Sequence, residues 1–254
     1  MGLCDEFITM MRVFKGFGGI PQLKYAVATI GSFDGVHSGH TELLRRVTEI
    51  AARHQGESVV VTFDPHPRYV LGSGENLRLL STLDEKIVLL ERVGIDVVVV
   101  VPFTVEFSHT SPREFIERDI VGSGIRSLVV GYNHRFGYNK EGDYNYLEAR
   151  GAGLDIHMVE QQQIAQSKVS STIIRQAVAK GMMDKACRLS GHPYLILCEV
   201  AEDGSVSGLD PRKLLPMDGE YDAKVNGSAA KVAVENRTLR ICGHVSGGRA
   251  VIEI

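Results

Sequence analysis

Between residues 31 and 40 the chain reads Gly-Ser-Phe-Asp-Gly-Val-His-Ser-Gly-His, with an apolar run from Ala26 to Ile30 before it and a helical pattern from Thr41 after it. A strand that opens into a glycine-rich turn and then a helix directs backbone N–H groups and the positive end of a helix dipole at one place, which suits a phosphate. Gly31, Gly35 and Gly39 let the backbone pass close to a ligand, and His37 and His40 can donate to phosphoryl oxygens once the helix holds them. A second stretch carries similar chemistry. In Val169-Ser170-Ser171-Thr172-Ile173-Ile174-Arg175 three hydroxyl residues begin a helix. Serine and threonine at a helix start are ordinarily caps. Arg175, four residues after Ser171, reaches toward the same end and tilts the reading to a second phosphate-binding terminus.

Two familiar phosphate loops do not fit. The three glycines recur every four residues and do not spell G-x-G-x-x-G, and no Gly-Lys-Ser/Thr follows. A zinc reading of His37 and His40 needs a third ligand, for which only His54 or His66 is arguable. Asp64-Pro65-His66-Pro67 reads either as a rigid turn or as part of a site. Arg135 and Lys140 are equally surface charges or ligand contacts.

The elements that must position these residues alternate. Leu43, Leu44, Val47, Ile50 and Ala51 keep helical spacing up to a stop at Gly56. Unbroken β-branched runs predict buried strands at Val59–Phe63, Val97–Val101 and Ser127–Val130, with a further strand at Asp155–Val159. Thr82 with Glu85 reads as a capping box before a helix to Val93, and Ser111-Pro112-Arg113-Glu114 opens another to about Val121. A short helix is expected at Tyr144–Arg150, and one continuous helix from Ser170 to about Ser190, where Gly191-His192-Pro193 breaks it. Alternation of this kind implies an α/β domain, a Rossmann-like parallel sheet with helices on both faces, whose ligands bind at the carboxyl ends of strands. The loops that follow Ile30, Phe63 and Val130 should share one crevice. From Tyr194 the pattern changes to short β runs with Gly, Asp and Asn turns, a small antiparallel β domain that needs a neighbour or a second copy to bury its apolar surface.

Whole-chain properties narrow the class. A net charge of −3 argues against a protein that coats nucleic acid. The four cysteines, at 4, 187, 198 and 242, form no C-x-x-C pair, which favours a reducing, cytoplasmic setting. No apolar run approaches the ~20 residues of a membrane span. Residues 1–11 lack the basic-then-apolar order of a signal peptide. Gln161 to Lys168 reads as a polar, mobile loop.

His-x-Gly-His at the start of the first helix of an α/β domain resembles the signature of the nucleotidylyltransferase superfamily. The longer string Gly-x-Phe-Asp-Gly-Val-His-x-Gly-His is similar to one branch, the bacterial FAD synthetases (riboflavin kinase/FMN adenylyltransferase proteins). The likeness runs over residues 12–194 and takes in Thr-Phe-Asp-Pro-His-Pro at 62–67, Arg135-Phe136-Gly137 with Gly142-Asp143, the 169–175 segment and Gly191-His192-Pro193-Tyr194. It implies an adenylyltransferase domain at 12–190 and a reduced relative of the riboflavin kinase module at 194–254. The reaction it implies is transfer of AMP from ATP to FMN, giving FAD and pyrophosphate, with Mg²⁺ carried by the ligand phosphates and no metal site in the protein. His37, His40 and Arg175 would then be catalytic. Gly31, Ser32, Phe33, Gly39, Ser171 and Thr172 would join them around ATP, and Phe63, Asp64, Pro65 and Asn133 would line the FMN side. The expected partners are these two small molecules, with no nucleic acid, no membrane and homo-oligomerisation through the β domain.

The chain departs from the family pattern twice. Tyr132-Asn133-His134 stands where many members carry acidic and aromatic residues, and the carboxyl-terminal region lacks the Gly-x-Pro-Thr-x-Asn segment of the kinase module. No riboflavin kinase activity is therefore expected. Two other readings stay open: a non-catalytic flavin- or nucleotide-binding regulatory paralogue, and an adenylyl- or cytidylyltransferase acting on another phosphorylated metabolite.

Overall fold

Nearly continuous valine runs need burial on both faces, and they receive it in a six-stranded, wholly parallel sheet. In the computed structural model, which describes residues 11–160, 169–243 and 245–254, the strands are β1 (Arg12–Lys15), β2 (Ala26–Ile30), β3 (Ser58–Asp64), β4 (Val97–Pro102), β5 (Ile125–Gly131) and β6 (Asp155–Val159). Their order is β1-β4-β3-β2-β5-β6, all neighbours parallel. The chain steps outward from β2 through β3 and β4, then returns to place β5 on the other side of β2. The sheet's switch point thus lies between β2 and β5, where ligands of such sheets bind.

By packing, the described residues form two units. The first takes the residues up to Ser32, then Leu43–Ser73 and Leu90–Glu160. Its core joins one face of the sheet, through Ala28, Val61, Val99 and Leu128, to Phe115, Ile116, Ile120 and Leu147. Phe115 to Val121 winds as a π-helix continuing Pro112–Glu114, whose Ser111 cap accepts from the Glu114 N–H. On the helix Ser38–Arg53 the buried side chains are Leu44, Val47, Ile50 and Ala51.

The second unit takes Phe33–Glu42, Gly74–Leu89 and the described residues from Val169 to Ile254. Its strands are β7 (Leu195–Val200), β8 (Val206–Ser207), β9 (Gly219–Val225), β10 (Ser228–Glu235), β11 (Thr238–Cys242) and β12 (Gly248–Glu253). They form an antiparallel sheet ordered β11-β10-β9-β12-β7-β8. Its two ends approach through a Ser205–Arg240 bridge and the Ile241 N–H on the Gly204 carbonyl at 2.8 Å, so the sheet is a near-barrel around Ile196, Val232, Ile241 and Ile252. By packing, the histidine stretch belongs with the near-barrel.

Two local expectations change, and two strands are additional. The first helix begins at Ser38, not Thr41, and ends at Arg53. The helix expected to run from Ser170 to Ser190 is two, Ser171–Ala179 and Met183–Ser190, broken at Gly181 with φ +67°. The edge strand β1 and the two-residue β8 were not anticipated; β1 alternates half-buried and exposed residues over only four positions, too short a pattern to stand out. Gln161 to Lys168 lies outside the described residues.

Candidate active site

The backbone from Phe33 to His37 takes an unusual path. Phe33 has φ +46°, Gly35 φ +82° and Val36 φ +37°. A β-branched residue at positive φ is a true outlier, costing about 1–3 kcal/mol unless its surroundings hold it. They do so through Asp34. Its Oδ1 accepts from the N–H groups of Leu80 (2.9 Å) and Ser81 (3.0 Å), while Oδ2 pairs with the Arg175 guanidinium. The Gly35 N–H donates to Ser81 Oγ at 2.8 Å, His192 Nε2 donates to the Gly35 carbonyl at 3.0 Å, and Ser171 Oγ donates to the Asp34 carbonyl at 3.1 Å.

This loop delivers two histidine rings stacked 3.8 Å apart at the start of the helix Ser38–Arg53, with the Phe33 ring edge-on to His40 at 5.1 Å. The Gly39 N–H donates to His37 Nδ1 at 3.1 Å, which leaves the ring proton of the neutral imidazole on Nε2. A side chain at Gly39 would meet the His37 ring at 3.0 Å, so glycine there is what lets the ring lie over the turn. Burial pushes His37 down to about 4 and His40 well below its ordinary value, with the neighbouring ring and Lys86 adding to the effect on His40. Both are neutral donors at pH 7. Neither this helix nor Ser171–Ala179 carries a carboxylate in its first turn, which leaves both termini suited to an anion. On the second helix Ser170 is the cap, accepting from the Ile173 N–H at 3.4 Å, so Ser171 and exposed Thr172 are spared that duty.

Arg175 stands elsewhere than a free phosphate clamp would. Its Nε donates to the Arg78 carbonyl at 2.8 Å and its side chain is 17% exposed beside Asp34 at 3%. It orders the histidine loop as much as it offers charge.

In the first unit, a cavity of about 350 Å³ opens at the carboxyl ends of the strands. Phe63, Phe103, Phe107, Phe115 and Phe136 line it with His134. Gly31 and Ser32, expected beside the nucleotide, line it as well, so the loops after β2, β3 and β5 do share one crevice. Asp64 and Pro65, joined by a cis peptide, and exposed Asn133 do not line it. His134 is the residue sequence reasoning left open: its Nε2 is buried with no hydrogen-bond partner, and burial lowers it to about 4. A buried, unpaired nitrogen is costly, and a ligand atom would satisfy it. Asp34, Ser81 and His192 were given no role from the sequence, although Asp34 stands inside the Phe-Asp-Gly string and His192 inside Gly191-His192-Pro193; only Ser81 had no signal.

These low values have a stability consequence. The unfolded chain takes up protons at its histidines near pH 6.5, whereas His37 and His134 stay neutral in the fold until about pH 4. Their contribution is therefore complete above pH 6.5 and drains away as pH falls toward 4. The denaturant midpoint should decline from pH 6.5 to 5, before carboxylates titrate; a flat profile there would mean the rings are solvated.

Among the described residues no group of three or more His, Cys, Asp or Glu side chains converges on a point that holds a metal, and no helix is long and apolar enough to cross a membrane.

A family model described as FAD synthetase matches residues 20–173. A bifunctional riboflavin kinase/FMN adenylyltransferase of Listeria monocytogenes is 34% identical over 170 residues, 66% of this chain and 54% of that protein. A protein of the same organism named FAD synthetase is 32% identical over 85% of this chain and 87% of its own length. The bifunctional riboflavin kinase/FMN adenylyltransferase of Escherichia coli is 30% identical, covering 96% and 82%. A solved structure of a macrolide-efflux protein from Streptococcus pneumoniae superposes with a TM-score of 0.79 at 22% identity, over 96% of this chain and 89% of that one, a likeness of fold alone.

Proposed function

The chain belongs to the FAD synthetase family, and from that premise we propose that it transfers AMP from ATP to FMN, releasing FAD and pyrophosphate. The observation that carries this reading is the stacked, neutral His37–His40 pair at a helix start free of carboxylates. An FMN phosphate oxygen is already anionic near neutral pH, so it attacks the α-phosphorus of ATP without a general base as the bond to the β-phosphate oxygen breaks. The protein's task is then to position two anions and to stabilise charge on the transferring group.

In this reading His37 donates Nε2–H to the α-phosphoryl group and His40 stabilises the same charge. Gly39 keeps the backbone close, while Ser171, Thr172 and Arg175 hold the outer phosphates. The aromatic cavity takes the flavin ring, and His134 Nε2 meets a polar atom on its edge. Asp64, Pro65 and Asn133 are assigned to the rim of the flavin side. Mg²⁺ fits as an ion held by ligand oxygens, since phosphate-bound magnesium needs few protein carboxylates; it would neutralise triphosphate charge. With no Gly-x-Pro-Thr-x-Asn segment, riboflavin is not phosphorylated.

Incubating the purified protein with ATP, Mg²⁺ and either FMN or riboflavin, then separating flavins by chromatography, tests the proposal. FAD should form from FMN, and riboflavin should persist. FMN that stays unchanged while ATP still binds would overturn the enzymatic reading and leave a binding protein.

A further inference from the structure

We infer that the near-barrel is the brace of the histidine loop and that Lys213 is the positioning residue through which it acts. This rests on the reading that ATP phosphates sit at that loop. The loop's strained residues, Phe33 and Val36, are held by bonds from Leu80 and Ser81 to Asp34 and Gly35. Those two residues belong to a segment that runs beside residues 211–214. The Leu79 N–H donates to the Arg212 carbonyl at 2.8 Å, and the Leu214 N–H donates to the Leu79 carbonyl at 2.9 Å.

Lys213 sits between them with its side chain 1% exposed. An ammonium has three protons to place. Here they go to the Leu80 carbonyl (2.7 Å), the Leu195 carbonyl at the start of β7 (2.7 Å) and Glu85 Oε2 (2.8 Å), with the Tyr194 ring 4.1 Å from Nζ. Glu85 continues the chain of bonds, accepting from the Leu197 N–H at 3.0 Å through Oε1 and from the Thr82 N–H at 2.8 Å through Oε2. Every bond from β7 to Asp34 is thus direct, and no reacting group uses Lys213 or Glu85. A buried charge pair of this quality is weak evidence for stability as such. Its geometry instead fixes where Leu80 and Ser81 present their N–H groups.

The test is Lys213→Met beside the double variant Lys213→Met/Glu85→Gln, which leaves no buried unpaired charge if the single variant fails to fold. A merely structural role lowers stability and the active fraction but leaves KM for ATP alone. A brace predicts that KM for ATP rises about tenfold or more, that FMN affinity by flavin fluorescence stays near the wild-type value, and that the amides of Gly35, Leu80 and Ser81 exchange with deuterium faster while those of β3 do not. Wild-type KM for ATP together with wild-type exchange at these amides would overturn the brace. Should the unaltered protein make no FAD, the enzymatic reading falls, and amide exchange alone still decides whether Lys213 holds the loop.

Discussion

His40→Ala is expected to lower FAD formation by about 10² to 10³ at saturating ATP and FMN, the usual effect of removing one preorganised donor from a transferring group. The ring has its Nδ1 buried without a partner and its face against His37. An imidazole kept neutral by burial cannot serve as an acid at pH 7, so what is lost is a fixed dipole and the support that keeps His37 over the turn. Because FMN is assigned to the aromatic cavity, flavin affinity should stay within about twofold, placing the loss in turnover and not in flavin binding. Circular dichroism of the variant should match the wild type. Turnover within threefold of the unaltered protein would remove His40 from the mechanism.

The sequence was legible wherever one local signal decided the outcome. Valine runs announced β3, β4 and β5 because nothing but a sheet covered on both faces buries such segments. The Thr82–Glu85 capping box was readable because its two bonds are made within four residues, and both are present. Gly39 and His37 stood out through spacing alone. What stayed hidden depends on partners far along the chain. Asp34 bonds Leu80, Ser81 and Arg175, up to 141 residues away, and no periodicity marks such a partner. The same holds for Lys213, which looks like an ordinary surface lysine until Glu85 and two carbonyls surround it. His134 stood out only as part of a departure from the family pattern after β5; the cavity shows that it lies among phenylalanines. The histidine loop is held by Leu80, Ser81, Ser171, Arg175 and His192, scattered along the chain, so composition gave no sign that packing would group it with the near-barrel.

Asp34→Ala is expected to destabilise the protein by about 3–5 kcal/mol, the cost of leaving one partner of a buried pair uncompensated. Arg175 loses its counter-charge at a place where the pair is 17% and 3% exposed. The N–H groups of Leu80 and Ser81 lose their acceptor as well, and a buried unsatisfied donor costs about 1–3 kcal/mol, though these losses overlap and do not add. With Asp34 gone, the positive φ at Phe33 and Val36 is no longer offset on that side, and the loop should relax toward ordinary backbone. Such a loss is a large share of a typical stability of about 5–15 kcal/mol. Asp34→Asn separates the terms, since its carbonyl still accepts from Leu80 and Ser81 while the charge on Arg175 goes unanswered. The Asn variant should therefore fall between wild type and Ala. Adding Arg175→Met to Asp34→Ala should restore part of the stability by removing the stranded guanidinium, while activity stays lost. Urea unfolding followed by fluorescence of the eight tyrosines, with circular dichroism in parallel, measures all four proteins. An Asp34→Ala loss below about 1 kcal/mol would mean that Arg175 and the two amides find other partners and that the loop is not held through Asp34.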